Sequence, residues 1–128
     1  MVTKNEYDIL LALWNAEHAL SAKEIVASIE DKSFKDKTIH SILNTMLEKE
    51  LIYVDGQKLS SRIYSRCFRA KITFEEFHAT QIKNNAIYRR EKQVVLPGIV
   101  SALIDDVDAY TLRKIESLLR EKQKELGE

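Results

Sequence analysis

Between residues 39 and 47, Ile39, Ile42, Leu43, Met46 and Leu47 recur at spacings of three and four, which sets them on one stripe of an α-helix. This stripe constrains the fold more than any other feature. A helix of this kind needs an apolar partner on one side and must leave its other side open. The open side carries Lys37, His40, Ser41, Asn44 and Thr45, with Lys35 just before it. These are short polar or basic hydrogen-bonding groups, whereas an ordinary solvated face is more often filled with Glu and Lys. The helix is expected over 37–48, with Asp36 as its N-cap.

Two shorter helices precede it and can supply the partner surface. Thr3-Lys4-Asn5-Glu6 has capping-box spacing, and Tyr7, Ile9, Leu10, Leu11, Leu13 and Trp14 follow at helical positions, giving a helix at about 4–15. Ser21-Ala22-Lys23-Glu24 repeats that spacing ahead of Ile25, Val26 and Ile29, giving a second helix at about 22–31. After Leu51 the periodicity changes. Leu51-Ile52-Tyr53-Val54 and Arg62-Ile63-Tyr64-Ser65-Arg66-Cys67-Phe68 read as short strands, with Asp55-Gly56 as a turn signal and Gln57 to Ser61 as a connecting run. Together they predict a β-hairpin with a basic tip.

A third capping box, Thr73-Phe74-Glu75-Glu76, opens a helical tract expected to run to about Val95. Pro97 predicts a kink or break. Ile99, Val100, Leu103 and Ile104 form a short apolar helix, and Asp105-Asp106-Val107-Asp108 caps a final one in which Leu112, Ile115, Leu119 and Leu126 fit a seven-residue repeat. The fold class is therefore mainly α with a small β-hairpin. It has a winged helix-turn-helix head over residues 1–71 and a C-terminal helical dimerisation region over 72–128.

Net charge is zero, with 20 basic and 20 acidic residues, but its distribution is uneven. Residues 1–31 hold two basic and six acidic residues, residues 32–71 nine and four, and residues 72–128 nine and ten. The whole positive excess thus lies in the window containing the third helix and the hairpin, where it can attract a polyanion. The major groove of DNA admits one α-helix, and phosphates beside it can take cations from a wing. Lys35, Lys37 and Thr38 at the helix start, and Lys58 and Arg62 on the hairpin, are candidate phosphate contacts. His40, Ser41, Asn44 and Thr45 are candidates to face the bases. Arg66 and Arg69 share the second strand, and strand direction decides where they point. A protein-interaction adaptor docking an acidic partner on the same basic hairpin is the alternative.

Other functions lack their residues. No G-x-S-x-G, P-loop or H-E-x-x-H occurs. Cys67, His18, His40 and His78 match no zinc spacing, and the Asp105–Asp108 run lacks the Gly and bidentate Glu of a cation loop, so no catalytic or metal residues and no cofactor are expected. Trp14 is expected in the core. No apolar stretch reaches the ~18 residues of a membrane span. Charge at Lys4 and Glu6 comes too early for a signal peptide, and lone Cys67 cannot form an intrachain disulfide, so a cytoplasmic location is expected.

Several segments resemble the BlaI/MecI/CopY (penicillinase repressor) family of bacterial transcriptional repressors. They are Thr3 to Trp14, Leu20 to Ile25, Lys37-Thr38-Ile39-His40-Ser41-Ile42-Leu43-Asn44, Lys49-Glu50-Leu51-Ile52, Ile63-Tyr64 and, more loosely, Leu103-Ile104-Asp105-Asp106 with the last helix. The resemblance implies a homodimer whose heads each read half of an inverted-repeat, double-stranded DNA operator, with an unidentified sensor or inducer to release it. Dimerisation would use Leu96, Ile99, Val100, Leu103, Leu112, Ile115 and Leu119. Thr45 stands where that family usually has Arg, and Glu50 where it usually has Gly. The Asn-Phe cleavage bond of the β-lactam repressors and the paired Cys-x-Cys of the copper repressors are both missing.

Overall fold

The computed structural model describes residues 1–127. It consists of two compact units, Met1–Ala79 and Thr80 onward. In the first, α1 (Lys4–Asn15), α2 (Ala22–Ser28) and α3 (Ile39–Glu48) surround a three-stranded antiparallel sheet of β1 (Leu20–Ser21), β2 (Ile52–Ser60) and β3 (Ile63–Ala70), in the order β1-β3-β2. All three expected capping boxes form, that of Thr73 and Glu76 included. Thr3 and Ser21 accept from the amides of Glu6 and Glu24, and those carboxylates accept from the Thr3 and Ser21 amides in return.

The apolar stripe of α3 is buried as its spacing requires. Ile39, Leu43 and Met46 join Ile9, Leu10, Leu13, Ile25, Ile52 and Phe68 in one core, with Ile42 and Leu47 at its margin. Trp14 packs against the same core and donates its indole N–H to the Ile72 carbonyl at 2.9 Å. Phe77, from α4 (Phe74–Lys83), is buried there too, so this unit takes in the start of the helix after the hairpin.

Two ends of this unit are joined by a buried charge. Glu6, 3% exposed, caps α1 and also accepts from the Lys49 ammonium at the end of α3, at 2.9 and 3.0 Å. Burial alone would raise the Glu6 carboxyl, but the Lys49 ammonium and the Thr3 amide and hydroxyl outweigh it and hold the group below its ordinary value.

Several local expectations are corrected. Asp36 does not cap α3: it lies in a 3-10 turn (Asp36–Thr38) and pairs with Lys32, while Thr38 takes the cap position without a side-chain cap bond. Helix α2 stops at Ser28, short of 31, because Ile29 turns extended and packs at the core margin. Asp55-Gly56 is not the hairpin turn. These two residues stand opposite Cys67 alone, a bulge between the pairs Val54–Phe68 and Gln57–Arg66, and Gly56 supplies its φ of +84°. The chain reverses later, at Ser61 and Arg62, both with positive φ (49° and 71°) as a two-residue type I′ loop requires.

The second unit is helical. The tract expected to reach Val95 breaks at Asn85, whose side chain accepts from the Ile87 and Tyr88 amides and starts α5 (Ala86–Arg90). Next come α6 (Lys92–Leu103) and α7 (Ala109–Glu125). Helix α6 runs through Pro97 without ending there, which leaves the Gln93 carbonyl without its helical donor. Asp108 caps α7 as expected, accepting from the Thr111 amide at 2.7 Å. No residue from 80 to 127 is buried.

Helix α3 ends in a Schellman motif: the Leu51 amide donates to the Met46 carbonyl and the Glu50 amide to that of Leu47. Its left-handed position, usually Gly, is Glu50 at φ 60°. An L side chain there costs roughly 1–2 kcal/mol, partly offset because Gly has more freedom to lose on folding. Glu50→Gly is therefore expected to stabilise the protein by about 0.5–1 kcal/mol. Leu43→Ala, which empties a fully buried site, should cost about 2–5 kcal/mol. Chemical denaturation of the full chain checks both, and a Glu50→Gly variant less stable than the parent would show that the Glu50–Lys71 pair outweighs the strain.

Candidate nucleic-acid interface

Because Ile39, Leu43 and Met46 face the core, the far side of α3 is forced outward. His40, Ser41, Asn44 and Thr45 are all exposed. His40 and Asn44 are one turn apart, so their side chains rise from the same strip of surface. Thr45 returns its hydroxyl to the Ser41 carbonyl at 3.2 Å, and Thr38 returns its own to Lys35 at 2.6 Å. Lys35, Lys37 and Thr38 are exposed around the 3-10 turn that leads into α3.

The hairpin brings further cations, but not all of them are free. Arg62 is exposed at the turn itself. Lys58 lies on β2 and gives its ammonium to Glu24 of α2 at 2.9 Å. Arg69 pairs with Asp55 across the ladder, and Lys71 with Glu50. Arg66 turns the other way from its neighbour Cys67: it reaches Asn44 of α3 at 3.5 Å and lies 5.4 Å from the centre of the Phe68 ring. A cleft of about 340 Å³ lies at this corner, lined by Ala22, Lys23, His40, Tyr64, Arg66 and Phe68 among others.

The structure thus brings the recognition-face candidates together on one helix, with Arg66, Tyr64 and Lys23 beside them. Tyr64 and Lys23 are missed in the sequence reading, and Arg66 is left open there because strand direction decides where it points. The signal that could have found Arg66 and Tyr64 is the two-residue period of a strand counted back from Phe68, a large aromatic that belongs in the core. The tip is also less basic than expected, since Leu59, Ile63 and Tyr64 are exposed there beside Arg62.

Glu24 is the most strongly perturbed group at this surface. Its carboxylate accepts from the Ser21 amide and from Lys58, which lowers its pKa from 4.5 to about 2. The Lys58 ammonium is raised by the same contact. In contrast, burial pushes the Cys67 thiol up, which disfavours its thiolate. Among the described residues no group of His, Cys, Asp and Glu is placed to hold a metal ion, and no helix is long and apolar enough to cross a membrane.

Three helices, the third with an open polar face, followed by an antiparallel hairpin, define a winged-helix protein. The family model described as penicillinase repressor matches residues 2–121, so the chain belongs to the penicillinase repressor family. It is accordingly a DNA-binding transcriptional regulator, from a family of repressors rather than enzymes. No curated protein matches the chain.

The Glu24 perturbation gives a testable acid dependence. Its folded pKa is depressed, so the stabilisation is complete above its ordinary value of 4.5 and is lost as pH falls through about 2. Glu24→Gln keeps the capping geometry but removes the titration. Its melting temperature should fall less steeply than the parent's between about pH 5 and pH 2. Parallel acid profiles would mean that the Lys58 pair and the cap add no net stability.

Proposed function

We propose that the protein is a homodimeric repressor that binds an inverted-repeat operator. In this reading residues 1–71 bind DNA and residues 72–128 hold the dimer. The observation that carries it is the outward strip of His40, Ser41, Asn44 and Thr45 on a helix whose opposite side is locked into the core. That strip would enter the major groove, with His40 and Asn44 reading base edges. Lys35, Lys37 and Thr38 at the helix start and Arg62 and Lys58 on the wing would take phosphates. Lys58 would have to share its ammonium with Glu24.

Dimerisation is supported by the state of the second unit. Leu96, Val100, Leu103, Leu112 and Leu119 are exposed, Ile99 and Ile115 are half-buried, and no residue of the unit is buried outright among those described. Helices with apolar stripes and no interior of their own are completed by packing against another surface. A second copy would also supply the second head that a two-fold operator requires.

Selection of bound fragments from a random duplex pool tests this reading, and a palindrome is expected. On the selected site Asn44→Ala should cost about 1–3 kcal/mol, the worth of a good base contact. Lys58→Ala should weaken all sequences alike and flatten the log–log salt slope by at most about 0.9 per phosphate lost. Equal losses on selected and random DNA for Asn44→Ala would remove it from base readout, and a chain that stays monomeric on its operator would overturn the dimeric mechanism.

A further inference from the structure

The wing strand touches the recognition helix at one polar point, between Arg66 of β3 and Asn44 of α3. A guanidinium has donors only, and it is the Asn44 oxygen that faces it, at 3.5 Å, which puts the amide NH₂ on the other side of that side chain. The Arg66 guanidinium is set in place from below by Phe68, which is 2% exposed and therefore fixed in the core. Among the described residues Arg66 has no carboxylate partner, whereas Lys58, Arg69 and Lys71 of the same sheet region each have one. Its remaining N–H groups are thus uncommitted.

The pairing bears on which base Asn44 can read. An asparagine recognises adenine by using both ends of its amide, accepting from N6 and donating to N7. With Arg66 on one of the two lone pairs of its oxygen, at 3.5 Å, Asn44 keeps a single acceptor site, while Arg66 adds donors beside it. Guanine presents two acceptors in the major groove, O6 and N7. We propose that Arg66 is a specificity-determining residue, orienting the Asn44 amide so that the pair selects guanine over adenine. This rests on the proposed reading of α3 as the helix that enters the major groove.

Selection from the same random duplex pool, run with the parent, Asn44→Ala and Arg66→Ala, tests it. The Asn44→Ala run identifies the base pair concerned, as the one whose preference disappears. The parent should hold guanine there. Arg66→Ala frees the Asn44 oxygen and should shift the preference to adenine, by roughly tenfold in relative affinity. If Arg66→Ala fails to fold, Arg66→Met keeps an apolar stem over Phe68 and serves in its place. An unchanged base at that position with weaker binding to every sequence makes Arg66 a phosphate contact and overturns the proposal, as does a parent that prefers adenine. In both cases an enriched palindrome leaves the repressor reading standing. A parent that enriches no sequence overturns that reading and this inference together.

Discussion

The structure depends on the one-sided burial of α3. Ile39, Leu43 and Met46 sit in a core built from α1, α2, β2 and β3, and at a helical pitch of 3.6 residues that fixes where every other side chain of the helix points. The same constraint separates the packed side of the helix from its open side. Changing Leu43 acts on the core, whereas changing His40 or Asn44 acts on a surface that the core does not feel. The helix is also pinned at its end, where Lys49 meets the buried Glu6 at the start of α1. One carboxylate thereby serves as the cap of the first helix and the anchor of the third. Removing Lys49 would strand the Glu6 charge in a poorly solvated place.

The hairpin is coupled to the helices by polar contacts of different kinds. Lys58 ties β2 to α2 through Glu24, and Arg66 ties β3 to α3 through Asn44. Basic residues counted along the sequence therefore overstate the free positive charge of the wing. Of the five in 56–71, three are engaged by carboxylates. Charge patterning marks a basic window but does not tell which cations are spent internally, because their partners are distant in sequence.

What was legible in the sequence was local or periodic. The capping boxes at Thr3, Ser21 and Thr73 each use groups three residues apart and form as read. The stripe of α3 and the core position of Trp14 follow from helical spacing. The errors arose where tertiary structure chose between two local options. Asp55-Gly56 has the chemistry of a hairpin turn, but pairing of Gln57 to Ser60 with Ile63 to Arg66 extends the ladder past it and converts it to a bulge. Asp36 has the chemistry of a cap, but Lys32 takes its carboxylate. The break at Asn85 had a readable sign, a capping residue inside an otherwise helical tract, which the apolar spacing around it outweighed. Strand direction leaves Arg66 open in the sequence, and the face it shares becomes readable only when β3 is registered against Phe68.

The loop that reverses the hairpin is made of Ser61 and Arg62, neither of which adopts a left-handed backbone without cost. The ribbon is thus not closed by an intrinsically favourable bend. It is secured at its root, where Ile52 and Phe68 enter the interior. Its free end carries no share of the packing that maintains the head. Residues could be added or trimmed there without disturbing that interior, so the reach of the ribbon can vary independently of whether the protein folds.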